Sequence, residues 1–212
     1  MQDQVLEVVL FGEPGPQNTE RTLEIARARR RALELRHVVV ASDTGKTARR
    51  VLELFSGEGV VTVVSNPVGM TLPLAKLHSY LPRFAAHRAA LARSGVQAVP
   101  ASLTAEEAAA LELEGARVVR IDWRRFQAFT KSGLRPFDWY GIGVRVGLCI
   151  TVAAHLEGAV PADAEVLALA GTGFGGGGAD TAIIVQTAER WLDWRLVEVL
   201  ARPRVSPPIE AG

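Results

Sequence analysis

The chain has 212 residues, 48% of them hydrophobic and 22% charged, with a formal net charge of +1. This length buries one core without requiring a second domain, and the near-neutral charge gives no electrostatic case for nucleic acid or an anionic membrane. A single cysteine, Cys149, excludes an internal disulfide and fits a reducing cytoplasm; neither a basic-then-apolar leader nor an apolar run of spanning length appears, so the sequence reads as cytoplasmic.

Val5 to Phe11 reads as a first strand, closed by Gly12-Glu13-Pro14-Gly15-Pro16. Asn18 or Thr19 can cap the next helix, which is expected to reach about Leu35. Arg27, Arg29, Arg30 and Arg31 lie on it beside Glu20, Glu24 and Glu34, which predicts a solvated charged face.

His37-Val38-Val39-Val40-Ala41 is a β-branched run suited to a strand buried on both faces. Ser42-Asp43-Thr44-Gly45 is loop chemistry, and Ala48, Val51, Leu52 and Phe55 recur at helical spacing, so a helix opens near Lys46 or Thr47. A polar loop between a strand end and a helix start presents free N–H groups and the positive end of the helix dipole. Ser42, Thr44 and Thr47 add hydroxyls and Lys46 a cation, which together describe a phosphate cradle. The plainer alternative is that Ser42, Asp43 or Thr44 only caps the helix. A nucleotide-triphosphate loop is excluded, because the glycine needed five residues before Gly45 is Val40.

Val60 to Val64 predicts another buried strand, Arg83 to Arg93 a helix, Val96 to Val99 a short strand, and Ala105 onward a helix capped by Ser102 or Thr104. Residues 115–140 form an aromatic-rich insertion or lid: Trp123, Phe126, Phe129, Phe137, Trp139 and Tyr140 are interleaved with Arg124, Arg125, Lys131 and Arg135. Such a segment packs on the core, covers a ligand or meets another subunit, and a homo-oligomer is compatible with it. Trp139 to Gly158 reads as a buried helix with His155 near its end, and Glu165 to Ala170 as a strand.

The run Gly171-Thr172-Gly173-Phe174-Gly175-Gly176-Gly177-Gly178-Ala179-Asp180 formally contains a dinucleotide fingerprint. That motif needs a helix next, but Thr181 to Thr187 is β-branched and predicts a strand, which excludes a dinucleotide site of that type. A glycine-rich loop can instead bring backbone N–H groups close to a ligand. Leu196 to Leu200 predicts the last strand, and residues 203–212 a frayed tail. The alternation of strands and helices predicts one α/β domain over residues 1–212, a three-layer doubly wound sandwich with a mainly parallel sheet. If the strands of His37–Ala41 and Glu165–Ala170 are neighbours, loops 42–47 and 171–180 face one crevice at the strand C-termini.

The segment Val38 to Ala48 resembles the C-terminal α/β domain of pyruvate kinase, with Thr44-Gly45-Lys46-Thr47-Ala48 matching its phosphate-holding turn and Lys46 in place of an arginine. Val166 to Val185 is similar to that domain's strand, glycine-rich loop and strand. Gly15, Asn18, Thr19, Glu20, Thr22 and Leu23, with Gly178-Ala179-Asp180-Thr181-Ala182, resemble the free-standing proteins of the pyruvate kinase α/β-domain-like group. The chain departs from them in its run of four glycines and its expanded aromatic segment.

The resemblance implies a pyruvate kinase C-terminal-domain-like fold without the kinase chemistry, since the catalytic barrel has no counterpart here. It further implies a phosphorylated small-molecule ligand, a flavin mononucleotide (FMN) or a sugar phosphate. The expected ligand residues are Ser42, Asp43, Thr44, Gly45, Lys46, Thr47, Gly171, Thr172, Gly173, Phe174, Gly175, Asp180, Asn18 and Thr19. Two other classes stay open. One is an enzyme using Asp180 as general acid/base, or Asp180 only shaping the loop, with Lys46 stabilising negative charge. The other is a scaffold subunit. Spacing reveals no metal-ligand cluster and no nucleophile–base pair.

Overall fold

A computed structural model of the protein describes residues 5–55, 57–77, 82–131, 133–134, 139–173 and 178–205. Phe137 and Arg135 of the aromatic segment, Phe174 and Gly175 of the glycine loop, and the tail beyond residue 205 lie outside the described residues.

Seven strands form the main sheet in the order β1-β9-β8-β7-β2-β3-β6. They are β1 (Val9–Phe11), β2 (His37–Ala41), β3 (Val60–Ser65), β6 (Arg117–Arg120), β7 (Glu165–Ala170), β8 (Thr181–Gln186) and β9 (Arg195–Pro203). β2 pairs in parallel with β3 on one side and with β7 on the other, in the register His37↔Val166 to Val40↔Leu169. β8 alone among these seven runs against the rest, antiparallel to β7 and β9. The hairpin from β7 to β8 needs no crossover helix, which is why a β-branched run follows the glycine loop.

Val38, Val39 and Val40 are completely buried, because helices cover both faces of the sheet. On one face, α1 (Thr19–Ala32), α2 (Lys46–Phe55) and α4 (Ala105–Leu113) pack Leu23, Ala26, Val51, Phe55 and Leu111 against Val38, Val40, Leu167 and Leu169. On the other, α6 (Ile142–Leu156) packs Val144, Leu148 and Val152 against Ala168, Ile183 and Val185, with Phe126 of α5 (Trp123–Thr130) beside them. A two-stranded antiparallel sheet of β4 (Thr71–Pro73) and β5 (Ala98–Pro100) and helix α3 (Pro82–Arg93) lie between β3 and α4 in the chain. Among the described residues, no helix is long and apolar enough to cross a membrane.

Several boundaries differ from the sequence reading. Only Val9–Phe11 of the first strand pairs, as an edge beside Ala201–Pro203, and Val5, Leu6 and Val8 are exposed. Pro203 therefore belongs to β9, and Arg204 N still donates to Phe11 O, so the tail cannot begin at 203. β4 and β6 were not expected; β6 has only Val118 and Val119 between two arginines, too short to show a period. Thr104 caps α4 by accepting from Glu107 N, whereas Ser102 is buried. Asn18 sits at the start of α1 but donates to Glu13 O (2.7 Å) instead of capping.

The arginine face of α1 is not merely solvated. Arg27, Arg30 and Arg31 converge on Glu58, and Arg29 forms a two-pronged pair with Glu198 (2.5 and 2.8 Å). Hydrogen bonds from Arg31 and Arg27 hold the Glu58 carboxyl down to about 2. With the folded value below the ordinary 4.5, this contribution is present above that value and lost as pH falls from about 5 toward 2. Ion pairs at the surface contribute about 0.2–1 kcal/mol each, so Glu58→Gln, which weakens three of them, should cost roughly 1–2 kcal/mol at neutral pH. Thermal melts between pH 2 and 7 check this: the variant's acid limb should be flatter than that of the unmodified protein.

Candidate functional site

The chain runs outward from β2 to β3 and β6, then returns to β7 on the opposite side of β2. The order therefore reverses between β2 and β7, and a crevice opens at their C-terminal ends. Ser42 N still donates to Val64 O (3.1 Å), so the chain leaves the sheet only at Asp43. Gly45 then takes φ +77°, and Arg49 N donates to Gly45 O (2.9 Å) as α2 begins. A side chain at Gly45 would be strained and would meet Glu107 Oε2 at 2.8 Å, so this turn requires glycine.

The crevice deepens into a cavity of about 480 Å³, within the range of about 300–1,000 Å³ usual for small-molecule sites. Its polar side is made by Ser42, Asp43, Thr44 and Thr47 with Ser65 and Asn66, and Gly171, Thr172, Gly173 and Gly178 form an adjoining edge. Its apolar lining includes Met70 and Leu72, Ile121 and Trp123, and Phe126 and Leu134. Helix α6 contributes Ile142, Arg145, Val146, Cys149 and Ile150. The two loops singled out in the sequence do share one cavity, and part of the aromatic segment covers it. Trp123 stands edge-on to Phe126 (5.5 Å between ring centroids). Phe129 instead packs on Trp194 and Trp191 (5.9 and 6.4 Å), within the same chain.

Ser42 is 6% exposed, and its Oγ has no hydrogen-bond partner among the described residues. A buried hydroxyl left unpaired costs about 1–3 kcal/mol. Asp43 accepts from Ser65 Oγ (3.0 Å), which itself accepts from Leu103 N (2.9 Å). Burial pushes the Asp43 carboxyl up, while bonds from Ser65 and Asn66 oppose the rise. Cys149 lines the apolar side, and burial raises its thiol to about 12. A thiol so far from ionising should resist iodoacetamide at pH 8. Mass spectrometry should find it alkylated at least tenfold more slowly than in urea-unfolded protein.

Not every expected residue reaches the cavity. Lys46 is exposed and stands off the wall: as the first residue of α2 it projects to solvent, while Thr47 turns inward. Gly45 packs toward Glu107 and Arg49. Asp180 lies behind the wall, where Oδ2 accepts from Gly15 N (2.8 Å) and Thr172 Oγ1 (2.5 Å) and Oδ1 accepts from Thr181 Oγ1 (3.0 Å). Ala179 N donates to Thr19 Oγ1 (3.1 Å), so Thr19 and Asp180 together tie residues 15–19 to the end of the glycine loop. Asn18 bonds locally to Glu13 O and does not line the cavity. His155 is elsewhere, its Nδ1 3.1 Å from Val160 O and its ring against Phe129 and Trp194.

Sequence reasoning missed Ser65, Asn66, Met70, Leu72 and Arg145 on the wall. The one signal for Arg145 was its type: an arginine inside an otherwise apolar helix needs a reason to be there. The fold and the cavity define an α/β protein with a partly polar, partly apolar cavity at its sheet switch point. No family model matches the chain.

Proposed function

We propose that the protein binds a phosphorylated small molecule in this cavity, with the phosphate on the Ser42–Thr47 loop and the start of α2. The observation that carries the reading is Ser42, which lines the cavity beside Thr44 and Thr47 and whose buried Oγ has no hydrogen-bond partner among the described residues. FMN fits: its phosphate would take the hydroxyls and the free N–H groups of α2, and its flat ring would lie along Phe126, Leu134 and Ile150. When bound, a flavin supplies redox chemistry; the residues here only hold and enclose it. A sugar phosphate is the second ligand of the same class, and the resemblance to the pyruvate kinase C-terminal-domain-like group supports both. Nothing favours the enzymatic alternative built on Asp180 and Lys46, since the first is held by three donors and the second is exposed.

Ser42→Ala tests the reading, because the two roles of the hydroxyl have opposite consequences. Without ligand, removing an unpartnered buried hydroxyl should leave the melt unchanged or slightly raised. With FMN, loss of one neutral hydrogen bond should weaken calorimetric affinity about three- to tenfold. Unchanged affinity beside normal binding by the unmodified protein would move the phosphate away from Ser42.

A further inference from the structure

We infer that Arg145, and not Lys46, is the countercharge for the ligand's phosphate, and that the site takes a monophosphate with an apolar body in preference to a bisphosphate. The inference rests on reading the cavity as a phosphorylated-ligand site. Among the described residues that line it, Arg145 is the one cation and Asp43 the one carboxylate. Arg145 belongs to the first turn of α6, and its N–H donates to Gly141 O (3.2 Å). That helix start has no side-chain cap on Gly141, and Ile142 places it on the cavity wall. A cation in a first turn opposes the helix dipole, and an anion held there is stabilised by both.

Two helix starts, those of α2 and α6, thus flank the same space, which is also lined by Ser42, whose buried Oγ has no partner among the described residues. One phosphate matches this set of donors and this single positive charge. A second phosphate would find no second cation among the described lining residues, and Met70, Leu72, Ile121 and Phe126 offer it no hydrogen bond. A flat apolar body covers those side chains instead.

The test is calorimetric titration with FMN, riboflavin and a hexose bisphosphate, on the unmodified protein and on Arg145→Ala, Arg145→Lys and Lys46→Ala, with a thermal melt of each. Arg145→Ala should weaken FMN roughly ten- to a hundredfold, as expected for loss of a charge-assisted bond, while riboflavin changes less than about twofold. Arg145→Lys should restore most of the loss, Lys46→Ala should change FMN less than about threefold, and the hexose bisphosphate should bind more weakly than FMN. Equal losses of FMN and riboflavin in Arg145→Ala would make Arg145 a packing residue and overturn the inference. A large FMN loss confined to Lys46→Ala would do the same; both results leave the proposed function standing. Tighter binding of the hexose bisphosphate than of FMN would overturn the monophosphate class. If the unmodified protein binds neither phosphorylated probe, the proposed function fails and the inference with it.

Discussion

Asp180→Ala is expected to destabilise the protein by roughly 3–5 kcal/mol, near the upper limit for one substitution. The side chain is completely buried and takes hydrogen bonds from Gly15 N, Thr172 Oγ1 and Thr181 Oγ1. Truncation leaves all three donors facing a void, and each buried donor without a partner costs about 1–3 kcal/mol. For a chain of this size the melting temperature should fall on the order of 10 °C. The brace also has a pH signature. Burial, the largest influence, raises the Asp180 carboxyl above its ordinary 3.8, against the bonds from Thr172 and Gly15. A folded value above the unfolded one means a contribution present below about pH 4 and lost as pH rises through the raised value. This slope is opposite to that of Glu58, and Asp180→Asn should remove it. Thermal and urea melts from pH 3 to 8 measure both effects; an Asp180→Ala melt like that of the unmodified protein would mean the brace holds nothing.

Gly143→Val should be the second most damaging change, and it acts through shape alone. A Cβ at Gly143 would overlap Thr181 Oγ1 and lie 2.7 Å from Thr181 Cβ, and one at Gly147 would lie 2.8 Å from Ile183 Cδ1. These glycines let α6 rest directly on β8, which keeps the helix start and Arg145 at the cavity. Overpacking costs about 1–3 kcal/mol and occasionally more, and here the obstacle is a β-branched side chain on a central strand that has little freedom to move. Gly143→Val should therefore lower the melt by several degrees and weaken FMN as well, by shifting α6 away from the sheet. A double substitution, Gly143→Ala with Thr181→Ala, should recover part of the loss, because it removes the Oγ1 that a Cβ at position 143 would overlap.

What could be read from the sequence was whatever local pattern decides. His37–Ala41, Lys46–Phe55 and Glu165–Ala170 have the observed bounds or fall within a residue of them, because valine runs and helical spacing report burial directly. The shared crevice followed once β2 and β7 proved to be neighbours. Contacts between distant residues were not legible. Asp180 is tied to Gly15 across 165 positions, and Arg29 to Glu198 across 169, so neither a brace nor an ion-pair face could be inferred from spacing. Lys46 and Thr47 are adjacent, and whether a helix start turns one or the other inward depends on how α2 is seated on the sheet. Arg145 is illegible for the opposite reason: an apolar helix reports only that it is buried, and one arginine in it does not show which surface that arginine meets.

A crystal structure of the protein grown with FMN would show whether a ligand phosphate sits at the β2/β7 switch point. The phosphate should lie within hydrogen-bond distance of Ser42 Oγ, a Thr44 or Thr47 donor and Arg145, with the flavin ring along Phe126 and Leu134. FMN seated elsewhere, or a ring in the cavity with its phosphate turned to solvent beside Lys46, would contradict it.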